Sequence, residues 1–204
     1  MESSIYPLSQ FENKDAESWE KAKSVFEKIT EQSQFAEIAG CEHISVYFRI
    51  RAIEKLDAHA YQDILESIAL NSDNHVQGDL RLLAAKLVTN EQIRESVLTD
   101  ITHHSVNNGF EAAYLLKNQE VSQSFYAIVA KTPGHHFYRR MAIYYLDANL
   151  YQSLLVEIAE TDDDELVRKE AVKKLDTHKN QQLHVEIAKN HNKNNVQEEA
   201  IKID

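Results

Sequence analysis

Apolar positions along this chain recur on two scales. Within short segments they fall at helical spacing. Phe137, Met141, Ala142, Tyr145 and Leu146 make one stripe, and Leu150, Tyr151, Leu154, Leu155, Ile158 and Ala159 make the next. Along the whole chain the segments themselves repeat: related hexads begin at Ala22, Ala52, Leu83, Ala112, Ala142 and Ala171, with a shorter start at Ala200. The steps between these starts are 30, 31, 29, 30, 29 and 29 residues. AIEKLDAH from Ala52 and AVKKLDTH from Ala171 are therefore the same module, four periods apart.

A second apolar motif runs in phase with the first. It supplies Ile38–Ala39, Ile68–Ala69, Val129–Ala130, Ile158–Ala159 and Ile187–Ala188, while the unit from Val76 to His104 keeps only a looser pattern around Leu98. Polar breaks such as DAHAY, DANLY and DTHKN separate the two segments of each period. Two helices per period of about 30 residues predict an α-solenoid, in which each unit covers apolar surface that its neighbour cannot bury alone. Four glycines and two prolines supply too few turn residues for an all-β fold, which strengthens the all-α reading.

The segment LVRKEAVKKLDTHKNQQLHVEIAKNHNKNNVQEEAIKID resembles the short HEAT-like repeats of bacterial proteins, including the bilin-lyase-type HEAT-like proteins. In that pattern V-R-x-x-A-x-x-x-L-x-D forms the first helix and L-x-x-I-A the second. The likeness runs over residues 16–204 and is strongest in 44–72 and 136–204. It implies a right-handed superhelix of about six helix pairs plus a C-terminal half-repeat at 194–203, preceded by an irregular arm at 1–15. The unit from Val76 to His104 departs most, with Leu83 at the alanine position and Val88 at the aspartate position.

The resemblance also assigns roles to charged residues. Arg49, Arg139 and Arg168 stand three positions before the repeat alanine, and Asp57, Asp147 and Asp176 five after it. In the family such residues form a ladder, each arginine reaching an aspartate or helix end in the neighbouring repeat. Leu80, Gly109 and Gln197 interrupt the ladder at the arginine position.

Charge narrows the partners. With 33 acidic against 22 basic side chains the formal charge is −11, which disfavours nucleic acid and anionic membrane, although a local basic patch remains compatible with it. The N-terminal residues lack the basic start and apolar run of a secretory leader, no stretch approaches a membrane span, and the expected location is cytoplasmic. Cys41 is the only cysteine and reads as a small packing residue.

Histidines are the one unusual feature. His43, His75, His103 or His104, His135 or His136, and His191 all fall in the inter-repeat turns. The expectation is solvated helix starts without a metal, because paired neighbouring rings point to different sides of a helix. The His-Glu dipeptides by which HEAT-like deoxyhypusine hydroxylases hold two irons do not occur here. TDDDEL reads as a helix start rather than a calcium loop. No catalytic, cofactor-binding or metal-binding residue is assigned. The primary expectation is a non-catalytic protein-binding scaffold that uses the concave, inner-helix face of the HEAT-like solenoid, with Tyr47, Tyr61, Tyr144, Tyr151, His104 and His136 as candidate partner contacts. The alternative, also implied by the resemblance, is an accessory or lyase-type HEAT-like enzyme acting on a protein-bound substrate.

Overall fold

In a computed structural model, residues 7–12, 16–72 and 78–175 are described. Among them the chain is all-helical, with no strand. A 3₁₀ turn at Leu8–Phe11 precedes α1 (Ala16–Phe26), α2 (Gln32–Gly40), α3 (Val46–Lys55), α4 (Gln62–Leu70), α5 (Gly78–Leu87) and α6 (Glu91–His104). Then come α7 (Val106–Leu115), α8 (Gln119–Lys131), α9 (His136–Tyr145), α10 (Gln152–Thr161) and α11 (Glu165–Lys174). No helix among the described residues is long and apolar enough to cross a membrane.

The chain divides into two compact units, Met1–Leu115 and Leu116–Asp204. In the first, α2 packs on α3, α4 on α5 and α6 on α7. There α3, α5 and α7 touch in series as one row of first helices, and α2, α4 and α6 as a second row. In the second unit α8 packs on α9, α10 on α11, and α9 lies beside α11.

The repeat alanines sit where first helices meet their neighbours. Ala52, Ala112, Ala142 and Ala171 are fully buried. The third unit corrects the expected register. Ala84 is fully buried there, whereas Leu83 is half-buried. Hydrogen bonding shows the same shift by one residue. Arg49 Nε donates to the Ala39 carbonyl at 2.9 Å, and Arg81 Nε donates to the Ala69 carbonyl at 3.1 Å. Arg81, not Leu80, therefore holds the arginine position, and Thr89 replaces Val88 at the aspartate position.

The aspartates have a different role from the expected one. Asp57 Oδ1 accepts from the backbone of His59 at 3.0 Å, and Asp147 Oδ1 from Asn149 at 2.8 Å. Each closes the turn that follows its own helix, as an aspartate does two residues ahead of a free N–H. The arginines reach elsewhere: Arg81 to Asp100 at 2.9 Å, and Arg139 to Asp162 and Asp163 at 2.9 and 2.6 Å.

Glutamines tie second helices to the next first helix. Gln32 Nε2 donates to the Lys55 carbonyl while its Oε1 accepts from Asp57 N–H, at 3.1 and 2.6 Å. Gln62 does the same to Leu87 and Thr89, and Gln123 to Tyr145 and Asp147. One amide thus satisfies a carbonyl that the helix end leaves without an intrahelical partner. Buried leucines follow as extended C-caps at Leu56, Leu146 and Leu175, so these helices end without glycine. At the other ends, Asn90, Asn118 and Asp164 accept two backbone N–H bonds each as N-caps.

The core of the first unit begins outside the helices. Phe11 is fully buried, with ring centroids 6.0 Å from Phe26 and 5.1 Å from Phe48. Burying each such ring is worth roughly 1.5–3 kcal/mol. Part of the expected N-terminal arm is therefore a core element. The expected stripes also shift at their edges, since Phe137 and Leu150 are exposed while Ile143 is buried. The expected C-terminal half-repeat at 194–203, together with Asp176, Ile187 and Gln197, lies outside the described residues.

Candidate functional site

The expected contact residues fall into three settings. Tyr61 and Tyr151 stand at the N-caps of α4 and α10, half-buried. Their backbone accepts the first helical bonds, from Leu65 at 3.2 Å and Leu155 at 3.0 Å. Both belong to the turn that opens the helix. Tyr47 is exposed, yet it leans on Trp19 at a centroid distance of 5.1 Å. Tyr144 is the most open of the four, 64% exposed on α9.

The histidines do not converge. His136 opens α9, with Nδ1 3.6 Å from Asp164 Oδ2, and His135 caps that helix through Phe137 N–H. His103 and His104 are not a helix start: they are the last residues of α6. His104 Nδ1 approaches the Asp100 carbonyl at 2.9 Å and its carboxylate at 3.2 Å. Among the described residues no group of three or more His, Cys, Asp or Glu side chains is placed to hold a metal. His75 and His191 lie outside them. Cys41 is half-buried.

An open cleft of about 330 Å³ lies in the second unit between the α8–α9 turn and the end of α10. Arg139 forms its buried wall, donating through Nη1 to the Gly134 carbonyl at 2.7 Å and through Nη2 to Asp162 and Asp163. Lys131 and Glu157 pair across the rim at 3.1 Å. Its charged groups are thus committed to one another. Asp162 also accepts from Asp164 N–H at 2.9 Å, and Asp164 caps α11, so TDDDEL is a helix start as expected.

The open face of α9 and α11 has a different character. Phe137 is 52% exposed, Tyr144 64% and Leu166 39%. Phe137 and Leu166 occupy the same place in their helices, five residues before Ala142 and Ala171. Tyr47 stands at that place before Ala52. Arg140 on α9 and Lys169, Lys173 and Lys174 on α11 share these helices. Glu170, with an 18% exposed side chain, lies 4.0 Å from Arg140 and 3.9 Å from Lys173. Lys174 donates to the Leu146 carbonyl at 3.0 Å, and its ammonium sits 5.6 Å from the Tyr144 ring centroid. Burial lowers the Lys174 pKa, opposed by the charges of Glu170 and Asp147.

The exposure of Phe137 and Leu166 was not expected, because the stripe reading placed Phe137 in the core and did not treat α11. The signal was present in the equivalence of Tyr47, Phe137 and Leu166 relative to the repeat alanines. No family model, curated protein or solved structure matches this chain.

Proposed function

We propose that the chain is a HEAT-like right-handed α-solenoid that acts as a non-catalytic scaffold, binding another protein through the outward surface of its first helices. The observation that carries this reading is the exposure of Phe137, Tyr144 and Leu166 together on the adjoining helices α9 and α11. Large apolar side chains on a surface are individually ordinary, but a cluster rimmed by charge has the composition of a contact surface. Tyr47 on α3 and Tyr114 on α7 repeat the pattern on other first helices. The recurrent Arg49 and Arg81 bonds and the Gln32, Gln62 and Gln123 ties support the repeat reading, because they recur in step with the alanines.

The alternative of a lyase-type or accessory enzyme would draw on the cleft beside Arg139. Its ionic groups pair with one another, which favours a structural task for them. Affinity capture from cells that produce the protein tests the scaffold. The wild-type chain should retain a specific partner that the Phe137→Ala/Tyr144→Ala variant loses, with the variant's melting temperature unchanged. An identical set of retained proteins for both chains would contradict this use of the face.

A further inference from the structure

We infer that the α9–α11 face receives an acidic segment of the partner protein, one that carries apolar side chains among its carboxylates. This rests on the scaffold reading above and makes it specific. The apolar part of the argument is the exposed set Phe137, Tyr144 and Leu166. The electrostatic part is that Arg140 on α9 and Lys169, Lys173 and Lys174 on α11 belong to the same two helices, whose acids are Glu165 and Glu170, with Glu170 beside Arg140 and Lys173 and Asp147 acting on Lys174.

Distances decide what these cations can offer. Glu170 stands 4.0 Å from Arg140 and 3.9 Å from Lys173, beyond hydrogen-bonding range for either. A ligand carboxylate can therefore compete for both. The side chains of Arg140 and Lys173 are 40% and 39% exposed, so they reach solvent while their stems lie along the protein. Lys174 donates to the Leu146 carbonyl with its ammonium 5.6 Å from the Tyr144 ring centroid, so its charge serves this contact.

The rest of the molecule sharpens the choice of partner. Its formal charge is −11, so a cationic face is a local inversion that orients a short acidic ligand. A long polyanion such as nucleic acid would extend past the face and meet repulsion elsewhere. Acidic residues elsewhere include Asp63 and Glu66 on α4 and Glu157 and Glu160 on α10. Apolar anchors for Phe137 and Leu166 are also what a protein segment has and a phosphate backbone lacks.

The test uses the full chain and fluorescence anisotropy at low and physiological salt. The probe is a fluorescein-labelled peptide of repeated Glu-Glu-Leu-Leu blocks, with a Lys-Lys-Leu-Leu peptide and a labelled oligo(dT) for comparison. The acidic peptide should bind saturably, and added salt should weaken it. Lys169→Glu/Lys173→Glu should weaken it by about tenfold or more, and the neutral Lys169→Gln/Lys173→Gln by a smaller factor. Lys21→Glu/Lys23→Glu on α1 makes the same change in net charge at exposed positions and should alter binding by less than about twofold. Circular dichroism confirms that each variant keeps its helices.

Absence of acidic-peptide binding, an equal effect of the α1 and α11 reversals, or tighter binding of oligo(dT) would each overturn the inference. The scaffold reading can fail separately. A captured partner that depends on Tyr144 and Phe137 but is indifferent to Lys169 and Lys173 leaves the scaffold standing and removes the acidic segment.

Discussion

Arg81 Nε donates to the carbonyl of Ala69 across 3.1 Å, joining the start of α5 to the end of α4. Arg49 makes the same bond to Ala39 one pair earlier, and burial lowers its pKa against the opposing pull of Glu42 and Cys41. Such buried cations persist because helix-end carbonyls and carboxylates take their donors. Arg81→Met should therefore destabilise the fold by about 2–3 kcal/mol in urea unfolding, mainly through the orphaned carbonyl. Asp100→Asn should cost less, because asparagine keeps an oxygen acceptor for Arg81 and only the charge is lost. Equal costs would assign the stability to the ion pair instead.

The register of the third unit makes a second prediction. Ala84 is fully buried and Leu83 half-buried. Ala84→Leu should overpack the contact at a cost of about 1–3 kcal/mol, as should Ala142→Leu and Ala171→Leu. Leu83→Ala should cost less than Ala84→Leu. Thermal melts of the pair decide it, and the reverse order would restore Leu83 as the anchor.

Gln62 must donate and accept at once, to Leu87 carbonyl and Thr89 N–H. Gln62→Glu removes the donor when ionised and sets a carboxylate directly against the Leu87 carbonyl at the end of α5, a 3.1 Å contact that outweighs the favourable dipole at the start of α4. The introduced carboxyl regains a donor when protonated, so the fold raises its pKa above the unfolded value. The variant should then be weakest at neutral pH and recover stability as pH falls through the carboxylate range. Gln62→Ala should be destabilised with no such recovery. Urea midpoints of both against the wild type, from neutral to acid pH, provide the comparison.

Tyr126 carries the prediction at alkaline pH. Its phenol is pushed up to about 12 from an ordinary 10.0, first by burial and then by Tyr145, whose ring stacks on it at 5.3 Å. The neutral form is favoured in the folded chain. Its contribution to stability should be complete below pH 10.0 and lost as pH rises towards about 12. Near-ultraviolet titration should show one late tyrosinate that disappears in Tyr126→Phe. A titration curve unchanged by the substitution would contradict the burial argument.

Period and helix content were legible because alanine and isoleucine recur in phase. The third unit was misread because Leu83, Ala84 and Ala85 offer competing anchors, and only the partner of a nearby arginine separates them. LRLLAAKLV did contain that arginine, three positions before Ala84. The glutamine ties were also written in the sequence, six residues before Ile38, Ile68 and Val129, but an isolated polar residue gives no hint that both ends of its amide are used. The aspartates were assigned to a long-range ladder although DAH and DAN are local turn sequences. The face of α9 and α11 was hidden for another reason. Its aromatic residues share helical spacing with core residues, and exposure depends on which neighbours pack against each side.

Site-specific photocrosslinking tests the scaffold most directly. A photoreactive residue at Tyr144 samples the open face of α9, and one at Glu160, in a separate preparation, samples the exposed side of α10. A protein-binding surface on the first helices predicts a discrete crosslinked protein from position 144 and little or none from position 160. Equal crosslinking from both positions, or none from position 144, would contradict it.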